Sequence, residues 1–186
     1  INVNDVTAAA SDLVAINKLT TTAIVANDKT TTITGGATDV KAALGDGVTH
    51  KADVAVTITE ATTNANTVNE IAANADGNGN GLTTGLVTVQ SSRVTGTYQQ
   101  VNISLTLSGG GTKIAGMGAI NVTLTDANGG AANYSPTQLN TIDGLTSGTI
   151  TASTAAATMA DLLGTANGGD GSNGLDKLDR THNITI

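Results

Sequence analysis

Residues 11 to 33, SDLVAINKLTTTAIVANDKTTTI, return without a gap at residues 137 to 159 as TQLNTIDGLTSGTITASTAAATM. A single offset places Leu13 on Leu139, Ile16 on Ile142, Leu19 on Leu145, Thr20 on Thr146, Ile24 on Ile150, Ala26 on Ala152 and Thr32 on Thr158. Self-similarity at fixed spacing constrains a fold strongly, because it marks units that bury their apolar faces only by stacking on neighbours. Within each copy Leu13, Ile16, Leu19 and Ile24 are the expected buried positions. Thr20 is the expected turn into a strand.

Alternating apolar residues predict short strands centred on Val3, Ile24, Ile33, Val56, Val87 and Val89, Val122, Ile150 and Ile184. Between most of them lies a helix-start residue followed by apolar spacing of three or four: Ser11, Thr38, Thr67 or an earlier Thr, Thr97, Ser135 and Thr154. Pro136 suits a first helical turn. Strands and helices that alternate in units of roughly 25 to 35 residues imply parallel neighbours reached by crossovers, coiling right-handed by the usual crossover rule.

The fold expected is therefore α/β: one continuous right-handed repeat solenoid of parallel short strands and short helices over residues 1–186. Its approximate units are 1–29, 30–53, 54–86, 87–118, 119–147 and 148–182, with a further strand beginning at 183–186. The alternative is an all-β parallel β-helix, since helices this short are marginal without packing. The expected core comprises Leu13, Ile16, Ile24, Val40, Leu44, Val56, Ile58, Val89, Val122, Ile142, Ile150 and Leu162.

Composition fits such an array. The 186 residues are 39% hydrophobic yet contain no Phe or Trp and only two Tyr, so the interior must be branched aliphatics, Ala and Thr. A thin layered core does not need the large buried area that aromatics supply to a compact one. Charged residues are 12% with a net charge of -7, and Lys and Arg never cluster, which excludes a nucleic-acid tracking surface. Cysteine is absent, so there are no disulfides or thiolate metal sites. No apolar run reaches the length of a membrane span. The opening INVNDVTAAA lacks an initiator Met and a signal-peptide pattern, and reads as a processed chain or an excised piece.

Two loops carry oxygen-rich spacing suited to a hard cation. Asp76, Asn78 and Asn80 begin a D-x-[DN]-x-[DN]-G pattern whose twelfth position, Val87, cannot close the site as Glu would. Asp170, Asn173 and Asp176 lie in GGDGSNGLD, close to a β-roll calcium repeat with Asn173 where Asp should stand. Both stretches also read as turns, since Gly, Asn and Asp supply positive φ where a chain reverses.

A second pattern places Thr on both sides of an apolar residue: Thr32 and Thr34, Thr57 and Thr59, Thr123 and Thr125, Thr149 and Thr151. Side chains alternate across a strand, so each pair faces outward together. Strands in register would present a flat Thr face able to order water or to zip against another sheet; Thr also simply suits half-exposed strands. Catalysis finds little support: His50 and His182 are the only histidines, no nucleophile-elbow motif occurs, no Gly-Lys-Ser/Thr follows a glycine-rich stretch, and the acids that could pair are scattered singly. The expectation is a non-enzyme.

The phrases LNTIDGLTSGTITAS at 139 to 153 and TTTITGGATDV at 30 to 40 resemble Thr- and Ala-rich repeats of very large secreted bacterial surface proteins, of the kind found in cyanobacteria. They are related in style to calcium-binding β-roll adhesins and surface-layer proteins. The resemblance covers residues 11–44 and 135–163 most clearly. It implies an extracellular, cell-surface location, a structural role in a layer, filament or adhesin, and partners that are copies of the chain or adjoining repeats. Calcium is the one cofactor it suggests. Ice or repetitive-surface binding by the Thr face is an alternative, and a polysaccharide-active β-helix enzyme using scattered Asp residues is a second.

Overall fold

In the computed structural model the described residues are 1–26, 29–45, 47–72, 81–125, 133–154, 178 and 181–185. Strand β1 (Thr7–Ala9) runs directly into helix α1 (Ala10–Leu19), and β2 (Ile24–Ala26) and β3 (Thr32–Gly35) precede α2 (Ala37–Gly45). Next come β4 (Val48–His50), β5 (Ala55–Ile58) and β6 (Thr62–Asn64) before α3 (Ala65–Ile71), then β7 (Val87–Val89) and β8 (Arg93–Gly96) before α4 (Tyr98–Gly109). Strands β9 (Ile114–Ala115), β10 (Asn121–Leu124) and β11 (Asn133–Tyr134) lead to α5 (Pro136–Asp143), followed by β12 (Ile150–Thr154) and β13 (Asn183–Thr185).

The chain is thus α/β; the two strands expected between the first two helices, at Ile24 and Ile33, are both present, but later intervals hold more strands than expected, two or three between successive helices among the described residues. The additional ones are poor in apolar residues. β6 is Thr-Thr-Asn and β8 holds only Val94, so neither shows alternation in sequence.

Helix starts follow capping chemistry, with three corrections. Thr97 and Ser135 each form a reciprocal capping box, with Gln100 and Gln138, and Pro136 occupies the first turn of α5 as expected. By contrast α1 begins before Ser11, at Ala10, with Ala9 in the cap position and no side-chain bond. In α3 the cap is Asn64, whose side chain accepts from the N–H groups of Asn66 and Thr67. Helix α2 starts at Ala37 and is served from the next pass of the chain: Glu60 Oε1 accepts the Ala37 N–H at 3.2 Å. A carboxylate there also complements the positive end of the helix dipole.

Every strand pairing among the described residues is parallel, and each joins strands from successive passes. One sheet runs β1-β3-β5-β7-β9, a second β11-β12-β10-β8-β6 with β13 also on β12, and β2 pairs β4 in a third. The helices contact in sequence order, α1 on α2, α2 on α3, α3 on α4 and α4 on α5. Between helices and sheets lies a layer of Leu13, Ile24, Ile33, Val40, Ile58, Ile71, Leu105, Ile114, Leu139, Ile142 and Ile150, all buried. Each full burial of a branched aliphatic contributes about 1.5–3 kcal/mol.

Most of the expected core is buried as expected, although Ile16 is only partly covered and Leu162 lies outside the described residues. Leu19 is a clear correction: it is 88% exposed. Two steps of three residues from Leu13 fall roughly 120° short of two full turns at about 100° per residue. The side chain at the end of α1 has therefore rotated off the buried stripe. The two tyrosines meet, with ring centroids 6.4 Å apart. Tyr134 OH donates to Thr125 O at 2.6 Å and accepts the Tyr98 N–H at 3.3 Å, tying β11 to the end of β10.

Candidate interaction surfaces

Register decides which threonines stand together. In the first sheet Ala9, Thr34, Thr57, Thr88 and Ala115 occupy one row across five strands, half-exposed, while Ile33, Val56 and Val87 point into the core. In the second sheet Asn64, Thr95, Thr123, Thr151 and Asn183 form an equivalent row. The eight expected threonines are thereby divided between two sheets rather than gathered on one face. Thr32 stands between Thr7 and Ala55. Thr59 lies just past β5, its N–H donating to Gly35 O at 3.0 Å, and Thr125 repeats this against Gly96 at 2.9 Å. Thr149 precedes β12, its N–H held by Asn121 Oδ1 at 2.9 Å. Thr88 and Thr95 complete the rows without a Thr on both sides of an apolar residue; Thr88 stands in Val-Thr-Val, and Thr95 in Val-Thr-Gly with Gly96 between it and Thr97.

A different set of hydroxyls joins the passes together. At Thr30-Thr31, Thr83-Thr84, Ser91-Ser92 and Thr146-Ser147 the first residue is buried and the second reaches back to a carbonyl of the preceding pass. Backbone N–H and hydroxyl of the second residue converge on one oxygen each time: Thr31 on Val6 at 2.9 and 3.3 Å, Thr84 on Ala52 at 2.7 and 3.1 Å, Ser92 on Ala61 at 3.0 and 3.0 Å. The buried hydroxyls of Thr30, Thr83 and Thr146 donate to Asp5 O, Val54 O and Ile120 O at 2.9, 2.6 and 2.8 Å. Thr83 and Thr146 also accept the N–H of Gly85 and Gly148. Both glycines are required by this approach, since a Cβ on either would overlap the Val54 or Ile120 carbonyl. In Thr20-Thr21-Thr22 the internal bond is kept, Thr22 N–H to Thr20 Oγ1 at 2.9 Å, with Thr in place of Gly.

At the β1 end the layer opens into a groove of about 480 Å³, lined by Val3, Ala8, Leu13 and Ile16 with Asp5 and Asp12 among its walls. Ile1 is 49% and Val6 63% exposed beside it. Among the described residues β1 is the terminal strand of its sheet and pairs with β3 alone.

The two histidines serve the backbone. His50 places Nδ1 2.8 Å from Lys51 O and Nε2 2.9 Å from Leu44 O. His182 accepts the Ile150 N–H on Nδ1 at 3.0 Å, so its proton sits on Nε2, 2.8 Å from Asp143 Oδ1 though poorly aligned for a full hydrogen bond. The His182 side chain is 1% exposed and that of Asp143 8%. The cation candidates Asp76, Asn78, Asn80, Asp170, Asn173 and Asp176 lie outside the described residues. Among the described residues no group of three or more His, Asp and Glu side chains is placed to hold a metal, and no helix is long and apolar enough to cross a membrane. Compared with family models, curated proteins and solved structures, the chain matches none.

Proposed function

We propose that the chain is a structural segment of an extracellular surface protein, built as a right-handed α/β solenoid and working by end-to-end association in a layer, filament or adhesin. The observation that carries this reading is the β1 end, where a strand edge without a partner among the described residues borders a groove of mixed lining, Leu13 and Ile16 beside Asp5 and Asp12. An open parallel edge offers backbone donors and acceptors to another strand, and the exposed Ile1 and Val6 beside the partly covered Ile16 favour a partner that buries them. The stacking of helix on helix and strand on strand inside the chain is the same contact the open end would make with a further unit. Calcium belongs to the proposal as a stabiliser of the loops at 76–80 and 170–176, which a rise in melting temperature on calcium addition, lost in Asp76→Ala and Asp170→Ala, would support.

Sedimentation velocity across a concentration series tests the association. The wild-type chain is expected to grow beyond the monomer. Val6→Lys with Thr7→Lys, both exposed positions on the edge, should suppress end-to-end growth, as charge on an edge strand blocks pairing. A wild-type chain that stays monomeric at the highest soluble concentration would sink the reading.

A further inference from the structure

We infer that the strand seated at the Ile1 end in end-to-end association is β13 of a second copy, lying parallel to residues 1–3 with Asn183 opposite Asn2. The inference rests on the end-to-end reading above and names its partner and register. The 126-residue offset of the sequence repeat is also an offset of pairing. The Ile1 ammonium donates to Ala23 O at 2.9 Å, and the Val122 N–H donates to Thr149 O at 2.9 Å. Asn2 stands opposite Val25, as Thr123 stands opposite Thr151. Residues 1–3 therefore lie on β2 as β10 lies on β12. On the far side β4 follows β2, with Thr49 opposite Val25, and β13 follows β12, with Asn183 opposite Thr151. Both ends of the chain thus present the same stage of one repeating ladder.

The chain itself shows what covers such an edge. In every strand pairing among the described residues it is a parallel strand of the adjacent pass. Among those residues β13 pairs with β12 alone, and residues 1–3 pair with β2 alone. The side chains beside the two asparagines record the missing neighbour. Ala152 and Ala26, one residue beyond Thr151 and Val25, are buried. Ile184 opposite Ala152, and Val3 just after Asn2, are apolar and only half-buried. Setting Asn183 against Asn2 brings Ile184 against Val3, so that each covers the open side of the other. A slip of one residue would place Ile184 against Asn2 or Asn4 and lose that burial. Asn183 and Asn2 are both exposed, and stacked asparagines at strand spacing bond amide to amide. The contact joins two different surfaces, so it propagates head to tail instead of closing as a dimer.

Because the chain has no cysteine, single thiols at exposed positions report the contact without disturbing the core. Chains carrying Asn2→Cys are mixed with chains carrying Asn183→Cys and oxidised. Opposed residues of neighbouring strands lie about 4.8 Å apart, within disulfide reach. The mixed dimer is therefore expected about tenfold faster than either like-with-like dimer. It should also outpace, by a similar factor, Asn4→Cys mixed with Asn183→Cys, a pair about 8 Å apart and beyond that reach. Like-with-like dimers that form as fast as the mixed one would overturn the proposal, as would equal rates for Asn2→Cys and Asn4→Cys. The failures are distinguishable. A wild-type chain that is monomeric in sedimentation velocity sinks the association and this contact with it, whereas a chain that associates without preferring the mixed pair sinks only this partner and register.

Discussion

Ser147 reaches back to Gly118 twice, its N–H and its hydroxyl both meeting the glycine carbonyl, at 2.8 and 3.2 Å. The pair links one pass of the chain to the next where helix α5 gives way to β12. Thr146 beside it is buried and donates to Ile120 O. Together the two hydroxyls turn a sequence that reads as ordinary turn chemistry into an interlock between passes.

Removing the buried member of an interlock should cost more than removing the exposed one. Thr83→Val and Thr146→Val each leave a carbonyl of the preceding pass and a glycine N–H without their partner, a loss of about 1–3 kcal/mol. Ser147→Ala keeps the backbone bond and should lose about 0.5–1.5 kcal/mol. Thr20→Val, at the exposed copy of the turn, is expected to change little. Urea unfolding midpoints rank the four variants, and equal losses at Thr20 and Thr146 would refute the distinction.

Glycine substitutions should split by what a Cβ would meet. Gly148→Ala drives a methyl into the Ile120 carbonyl, and relieving that overlap is expected to cost about 1–3 kcal/mol or more. Gly45, the last residue of α2, has nothing within 4 Å of such a methyl. Gly45→Ala should therefore stabilise by about 0.4–1 kcal/mol through the unfolded chain. Melting temperatures moving in opposite directions would confirm the contrast.

His182, the residue just before β13, ties that strand's start to β12 through the Ile150 N–H. His182→Ala removes the acceptor of the Ile150 N–H and exposes the buried Asp143 carboxylate to an unfilled space, so a loss of about 1–3 kcal/mol is expected. The effect should concentrate locally, with faster hydrogen exchange at Ile150 and Ile184 than at Ile33 or Val56. Uniform acceleration throughout the chain would instead mark His182 as a global core residue.

How far these features could be read in advance varies from element to element. Ile24, Ile33, Val56, Val89, Val122 and Ile150 announced their strands and their burial because alternation across a strand is local. Thr97 and Ser135 announced their helices because a cap residue just before apolar spacing of three or four is a local signal, whereas their reciprocal bonds with Gln100 and Gln138 emerged only in the structure. Leu19 misled because spacing by three mimics a helical stripe only over one turn.

What the sequence by itself determined is local: which residues of the short strands turn inward, where α4 and α5 begin, and that the core is aliphatic. Only the tertiary structure decided which threonine does what. Thr83 and Thr88 sit five positions apart, yet one locks a turn to Val54 and the other stands in an outward row with Thr57. That difference depends on which pass lies alongside and in which register, and loops of unequal length between passes set the register. Hydrogen bonds spanning 26 to 32 residues leave no local trace in composition or periodicity. The same holds for Glu60, a lone acid in sequence that caps helix α2 only because its pass stacks on the one before.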